Sequence, residues 1–288
     1  MRSTGEAYDC MLRPAQRRGT IRPVDFATMM TLEDHGDDVY VGRGPQYPWG
    51  GLYGGQIVAQ SLRAGAATVE ERFHVHSLHA YFIRPGDAAE PIRFEVTRSR
   101  DGRSFCTRHV VASQDVGVIL TMSLSFQIDE AGHDVQLARM PDVPSPEELS
   151  GYTWSTLFER RFANLRNAEE GRGVAWLRMR EPVGDDPLLH ACALAYLSDD
   201  LPTDAVVAVH PDRPPPGEGD AFELGFMSAS LDHAIWFHRP AVADQWHVHD
   251  FTAHGYLSSR GLGIGHILSR DGVHLATVAQ EVLLRKTR

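Results

Sequence analysis

The segment SLHAYFIRPGDAAEPIRFEVTRSRDGRSFCTRHVVASQDVGVILTMSLSFQ, Ser77 to Gln127, has a partner further along the chain: SLDHAIWFHRPAVADQWHVHDFTAHGYLSSRGLGIGHILSRDGVHLATVAQE, Ser230 to Glu281. Both begin Ser-Leu with a histidine close behind, run through aromatic residues to Arg-Pro, and close on an apolar strand ending in Gln. Pro85 and Pro240 are offset by 155, and Gln127 and Gln280 by 153. A near-constant offset held over about fifty residues is the mark of a duplicated unit.

The strands inside these segments are legible. FCTRHVVASQ and GVILTMSLSFQ flank the turn Asp115-Val116-Gly117, and GLGIGHILSR and VHLATVAQEVLLR flank Asp271-Gly272. Both are hairpin signals. A helix precedes each strand set. In YGGQIVAQSLRAGAATV, Ile57, Val58, Ser61, Leu62 and Ala66 share one face at helical spacing. In DDPLLHACALAYLSD, Asp186 fits an N-cap, Pro187 the first turn, and Leu188, Leu189, Cys192, Ala195 and Tyr196 an apolar face. Each half thus reads as one helix wrapped by an antiparallel sheet, an α+β class. Residues 1–22 read as a partly basic tail, 23–128 and 151–288 as the two repeats, and the Pro-, Asp- and Glu-rich 129–150 as a linker. The three consecutive prolines in His210–Asp220 predict a loop inserted between the second helix and its sheet.

Composition narrows the function. A net charge of −10 argues against broad nucleic-acid binding, which needs a basic surface. Cys10, Cys106 and Cys192 are scattered and odd in number, which predicts neither a disulfide framework nor a zinc site and fits a reducing compartment such as the cytoplasm. The first twenty residues lack the apolar run of a secretory signal, and no stretch is long and apolar enough to span a membrane.

Seven motifs, in order, carry a family resemblance: YPWGGLYGGQIVAQSL, YFIRPGD, RDGRSFCTR, SLSFQ, SLDHAIWFHRP, SSRG and VAQE. From about Phe26 to the C-terminus the chain resembles acyl-CoA thioesterase II, the double hot-dog thioesterases. The resemblance implies a double hot-dog fold, hydrolysis of medium- to long-chain acyl-CoA, and no cofactor or metal. It also implies an Asp, a Thr and a Gln that hold and activate water. By motif position these are Asp199 in YLSD, Ser230 two residues before the Asp of DH, and Gln280 in the last strand. Ser230 is a departure: serine keeps the hydroxyl but loses the methyl that stiffens χ1. Read from the residues alone, Asp199 is a helix-end carboxylate and Ser230 a strand-start residue. Gln280 shares its direction with Val278 and Val282, which indicates an inward face.

The chemistry suits these types. Asp199 is the expected general base; burial and the C-terminal end of a helix both raise its pKa. The Gly54-Gly55-Gln56 start of the first helix is the expected source of backbone N–H groups for the oxyanion, or simply a tight strand-to-helix turn. Arg84, Arg103 and Arg260 are candidates for the nucleotide end of CoA. A homo-oligomer, dimer or tetramer, is expected from the open sheet edges. Other signals are discounted. His74/His76 and His247/His249 lack a third ligand, GLGIG lies inside a strand, and nothing activates Cys106. Asp232 and His233, adjacent on a strand, point to opposite faces, though one of them can line the site. Two alternatives stay open: a non-catalytic acyl-CoA-binding module and, less favoured, an enoyl-CoA hydratase. The latter needs a close Asp–His pair on a strand–helix segment, which follows neither helix.

Overall fold

Cys106, Arg108, Val110 and Ala112 point inward from Phe105–Gln114 while the residues between them face out. This period of two is what an antiparallel strand covered on one side requires. The same alternation recurs through the computed structural model, which describes residues 25–167, 171–213 and 225–286. The N-terminal tail and residues 214–220 of the proline loop lie outside the described residues. In chain order the first half contains α1 (Phe26–Met29), β1 (Glu33–Asp34), β2 (Val39–Gly42), α2 (Gly54–Ala66), β3 (Phe73–Phe82), β4 (Ile92–Asp101), β5 (Phe105–Gln114) and β6 (Gly117–Ile128). The second contains β7 (Phe158–Asn167), β8 (Arg172–Met179), α3 (Pro187–Ser198), α4 (Pro202–Ala208), β9 (Phe226–Ser230), β10 (Asp232–Phe237), β11 (His247–Leu257), β12 (Arg260–Ser269) and β13 (His274–Lys286).

All strand pairings are antiparallel, and one sheet runs β1-β2-β4-β5-β6-β3-β10-β13-β12-β11-β8-β7, with β9 also paired to β13. The β3–β10 pair, with Ala80 opposite His233 and Leu78 opposite Ile235, joins the two halves. Helices α2 and α3 lie side by side and antiparallel: Gly55 at the start of α2 meets Asp199 at the end of α3, and Arg63 near the end of α2 lies 3.6 Å from Asp186 at the start of α3. Both are buried on nearly every side, since each is wrapped by its half-sheet and packed on the other. This is the double hot-dog expected from the sequence, and Asp186 caps α3 through Leu188 N at 2.9 Å. No helix among the described residues is long and apolar enough to cross a membrane.

The register refines the duplication. A shift of 155 carries β5 onto β12 (Phe105 onto Arg260, Gln114 onto Ser269) and Ile92 of β4 onto His247 of β11. Even the bulge at Ala112/Ser113 recurs at Ile267/Leu268, and both hairpin turns hold a positive-φ glycine, Gly117 and Gly272. The second turn is one residue longer, so the last strand is shifted by 156. The counterpart of Gln280 is therefore Leu124, facing Arg108 of β5 as Gln280 faces Gly263 of β12. Matching the closing glutamines, Gln127 with Gln280, misaligned the last strand by three residues. His247 and His249 stand where the first half has Ile92 and Phe94, all four buried, and burial pushes both imidazoles below their usual range.

The stretch from Asp129 is irregular as far as a 3-10 turn at Pro146–Glu148. It is nevertheless tied down. Met140, Val143 and Leu149 pack on Val174, Trp176, Val248 and Leu268, and Trp176 Nε1 donates to Pro144 O at 2.9 Å. The segment thus straps the face of the second half-sheet opposite α3. Helix α4, which the sequence reading missed, lies on the other face. It sits close because β12 presents glycines: a Cβ on Gly261 would fall 2.4 Å from Val206 Cγ1, and one on Gly263 3.3 Å from Pro202 O. The GLGIG stretch is thus a bed for α4. Val206 is fully buried and has no room to give, so Gly261→Ala is expected to lower stability by about 1–3 kcal/mol through overpacking. A urea midpoint shift in the alanine variant checks this.

Candidate active site

Helix α2 starts without a cap of its own. Its N-cap residue, Tyr53, makes no side-chain bond to the first turn, although the first N–H groups of a helix need acceptors. The acceptor comes from the other half: Gly55 N–H donates to Asp199 Oδ2 at 2.9 Å. The approach is possible only for glycines. A Cβ on Gly54 would lie 2.6 Å from Asp199 Oδ2, and one on Gly55 would lie 2.3 Å from Tyr196 O. Tyr53 OH adds a bond to Tyr196 O at 2.9 Å, binding the start of α2 to the last turn of α3.

The remaining bonds of Asp199 come from the second half. Ser230 Oγ donates to Asp199 Oδ1 at 2.9 Å and accepts from Gln280 Nε2 at 2.8 Å. Gln280 Oε1 lies 2.5 Å from His233 Nδ1, and His233 Nε2 lies 2.8 Å from Ser198 Oγ. Desolvation by burial raises the Asp199 carboxyl from 3.8 to about 6, against the opposing hydrogen bonds of Ser230, Gln280 and the Gly55 N–H. Burial also pushes His233 down to about 4, leaving its ring neutral. Next door, Asp200 is held by Arg160 Nη1 at 2.7 Å and Trp154 Nε1 at 2.8 Å, so this second buried carboxylate is compensated. Tyr47 stacks on Trp49, and both they and Tyr53 meet Trp154 edge to face, forming one aromatic wall beside Asp199 and Asp200.

The structure brings Asp199, Ser230, Gln280, Gly54 and Gly55 into one cluster. The Gln56 side chain turns away, accepting from Tyr47 OH at 2.7 Å and donating to Gln60. Arg84 donates to Val118 O just beyond Phe82, at the cluster's end of β3. Arg260 pairs with Glu281, the neighbour of Gln280, on the exposed outer side. Arg103 sits in the β4–β5 turn beside Ile128 and Phe73, about 30 Å from Phe82 along a ten-residue strand. It is not brought to the cluster. Of the adjacent pair, Asp232 faces out and accepts from Glu281 N at 2.7 Å, while His233 is fully buried in the cluster. Sequence reasoning missed His233, Ser198 and the Asp200–Arg160 pair. The opposite-face rule applied to Asp232-His233 was the available signal for His233.

The pseudo-symmetric position carries none of this. The counterparts of Ser230, His233 and Gln280 are Val75, Leu78 and Leu124, and Ala67 ends α2 where Asp199 ends α3. At the start of α3, Pro187 has no N–H and Leu188 N–H is satisfied by Asp186. Among the described residues the Asp–Ser–Gln–His cluster thus occurs once. Keeping Asp199 ionised has a cost: with its folded pKa raised, stability falls as pH rises from 3.8 towards 6 and stays lower above that. Asp199→Asn is therefore expected to be more stable than wild type at pH 8, by roughly 2–3 kcal/mol. The advantage should vanish below about pH 4, the unfolded-state value. Paired thermal melts at pH 4 and pH 8 measure it.

Known proteins match this architecture over nearly the whole chain. Residues 44–127 match the model of the acyl-CoA thioesterase N-terminal domain and residues 136–284 that of the C-terminal domain. Human acyl-coenzyme A thioesterase 8 is 33% identical, covering 93% of this chain and 91% of its own. Acyl-CoA thioesterase 2 of Haemophilus influenzae is 32% identical, covering 89% and 96%. The crystal structure of an acyl-CoA thioesterase II from Mycobacterium marinum superposes with a TM-score of 0.78 at 36% identity, covering 91% of this chain and 97% of that one. A hot-dog protein from Alicyclobacillus acidocaldarius, at 22% identity and a TM-score of 0.76, shares the fold. The chain belongs to the acyl-CoA thioesterase II family, hydrolases of acyl-CoA thioesters.

Proposed function

We propose that the chain hydrolyses medium- to long-chain acyl-CoA to fatty acid and CoA, with Asp199, Ser230 and Gln280 activating water. The observation that supports this most is a buried carboxylate, raised to about 6, whose two oxygens are held by donors from opposite halves of the chain. A carboxylate at that value is a stronger base than a solvated one and is still ionised at neutral pH. Water gives a proton to Asp199 as its oxygen attacks the thioester carbonyl carbon. The C–S bond then breaks, and the proton passes from Asp199 to the CoA sulfur. Ser230 and Gln280 fix the carboxylate during both transfers. The serine in place of the family threonine keeps the role intact, since it donates to Asp199 and accepts from Gln280.

For the oxyanion the proposal narrows to Gly54. Gly55 N–H is taken by Asp199 and Gln56 N–H by Tyr53 O. Gly54 N–H, at the first residue of α2, has no acceptor among the described residues. At the positive end of the helix, it supplies the kind of fixed donor that a developing oxyanion needs. Arg84 and Arg260 are the proposed cations for the nucleotide phosphates, placed at the same end of the sheet as the cluster. The chain-length range follows the family resemblance.

Thiol release from a panel of acyl-CoAs, short to long, tests the proposal. Wild type is expected to turn over the longer substrates, and Asp199→Asn to lose about 10²–10⁴-fold in kcat, the size of a lost general base. Inert wild type that still binds acyl-CoA would instead identify a binding module. In wild type, kcat/KM should fall as pH drops through about 6, where Asp199 takes up its proton. A profile flat down to pH 5 would rule out Asp199 as the base.

A further inference from the structure

We propose that His233 is a positioning residue for this reaction: its Nδ1–H holds Gln280 in the one orientation that turns the Ser230 hydroxyl onto Asp199. The inference rests on the reading of Asp199, Ser230 and Gln280 given above.

The directions of the bonds follow from the carboxylate outward. Ionised Asp199 can only accept, so the Ser230 hydroxyl 2.9 Å away donates to it. That uses the only proton Ser230 has. Its oxygen must then accept from the group 2.8 Å away, which fixes the NH2 end of Gln280 towards Ser230. The carbonyl end of Gln280 consequently faces His233, 2.5 Å from Nδ1. Two acceptors cannot face each other at that distance, so Nδ1 carries a proton. The ring is fully buried and neutral, which leaves Nε2 bare and able to accept from Ser198 Oγ at 2.8 Å. Ser198 Oγ also lies 2.9 Å from Ala195 O, the helical carbonyl that competes for its proton. One polarity therefore runs from His233 through Gln280 and Ser230 to Asp199, with the Ser198 hydroxyl shared between His233 Nε2 and Ala195 O.

Without an N–H at position 233, nothing at that end of Gln280 distinguishes its oxygen from its nitrogen. A side-chain amide is nearly the same shape either way round. In the flipped state the carbonyl would face Ser230, draw its proton away, and leave Asp199 Oδ1 without its donor. The first half shows that leucine occupies this position in the fold: the counterparts of His233 and Gln280 are Leu78 and Leu124, paired across β3 and β6 and both buried. Imidazole at 233 is thus not required for packing as such.

The test is His233→Leu against His233→Asn, each with kcat, KM and the pH profile of thiol release from acyl-CoA. Asparagine places an amide N–H close to where Nδ1 stands; leucine places none. His233→Leu is expected to lose about 10- to 100-fold in kcat, as for a lost buried hydrogen bond to an essential group. KM should be little changed, and the acid limb should move to higher pH as Asp199 loses the Ser230 donor. His233→Asn should stay within a few-fold of wild type with an unmoved limb. Asp200, tied to Arg160, and the phenols of Tyr47, Tyr53 and Tyr196 are the other ionisable groups packed around Asp199, and neither substitution touches them. A folded leucine variant with wild-type kcat and limb overturns the proposal, as does an asparagine variant as impaired as the leucine one. Should the leucine variant not fold, the ¹⁵N spectrum of the wild-type histidines decides: a proton on His233 Nδ1 supports the proposal and a proton on Nε2 alone overturns it. Asp199→Asn run in parallel separates the two levels. If it retains wild-type turnover, the underlying reading fails. If it is inactive while His233→Leu is unaffected, only the present proposal fails.

Discussion

The carboxylate of Asp199 caps a helix that belongs to the other half of the chain. Much else in the molecule depends on that bond. It requires the start of α2 and the end of α3 to meet, which fixes the two helices antiparallel and side by side. It requires backbone within reach of Asp199 and of Tyr196 O, so the sequence supplies Gly54 and Gly55, where any Cβ would collide. It requires a dry setting, supplied by the aromatic wall of Tyr47, Trp49, Tyr53 and Trp154. The two helix ends act on the charge in opposite senses: the start of α2 favours it and the end of α3 opposes it. Burial outweighs the donors, so the carboxylate keeps a basicity that a surface aspartate lacks.

Much of this was legible in the sequence, because the signals were local. The period-two strands, the turns at Gly117 and Gly272, and Asp186-Pro187 at the start of α3 each depend on a few neighbouring residues. What escaped needed register or tertiary context. Matching Gln127 with Gln280 was a reasonable alignment of like with like, but one extra residue in the second turn moves the true counterpart of Gln280 to Leu124. Helix α4 is short and held by the glycines of β12, so its evidence lies in a strand sixty residues away. Read along the strand, Asp232 and His233 are discounted as a pair sharing one task, with either left able to line the site. Alternation does send the two to opposite faces, and that is what delivers His233 to the interior. The resemblance to known thioesterases pointed to Asp199, Ser230 and Gln280, while their mutual bonding could be seen only in three dimensions.

The linker 129–150 also packs against the second half-sheet. Its prolines and acids read as a tether, and it forms little regular structure. Yet Met140, Val143 and Leu149 cover apolar side chains on the outer face of the second half-sheet, and Gln136 bonds the β12–β13 turn through Gly272 O and His274 N. The same outer face in the first half has no such strap among the described residues. A connection that spans two domains here also completes one of them.

The single occurrence of the polar cluster has a consequence for how such a chain can change. A pair of identical subunits built on this plan would carry every substitution at both helix junctions. An ionised carboxylate placed at one junction would be placed at the other, and its burden on folding would be doubled. Joining the two units in one chain breaks that coupling. Ala67, Val75, Leu78 and Leu124 take the place of the cluster at one junction, where the buried Arg108 is instead compensated by Thr68 and Asp101, while Asp199, Ser230, His233 and Gln280 gather around the raised carboxylate at the other. The half without Asp199 contributes backbone and setting instead: Gly54 and Gly55 at the helix start, and Tyr47, Trp49 and Tyr53 in the aromatic wall. The two copies are in that sense no longer repeats but a worker and its foundation.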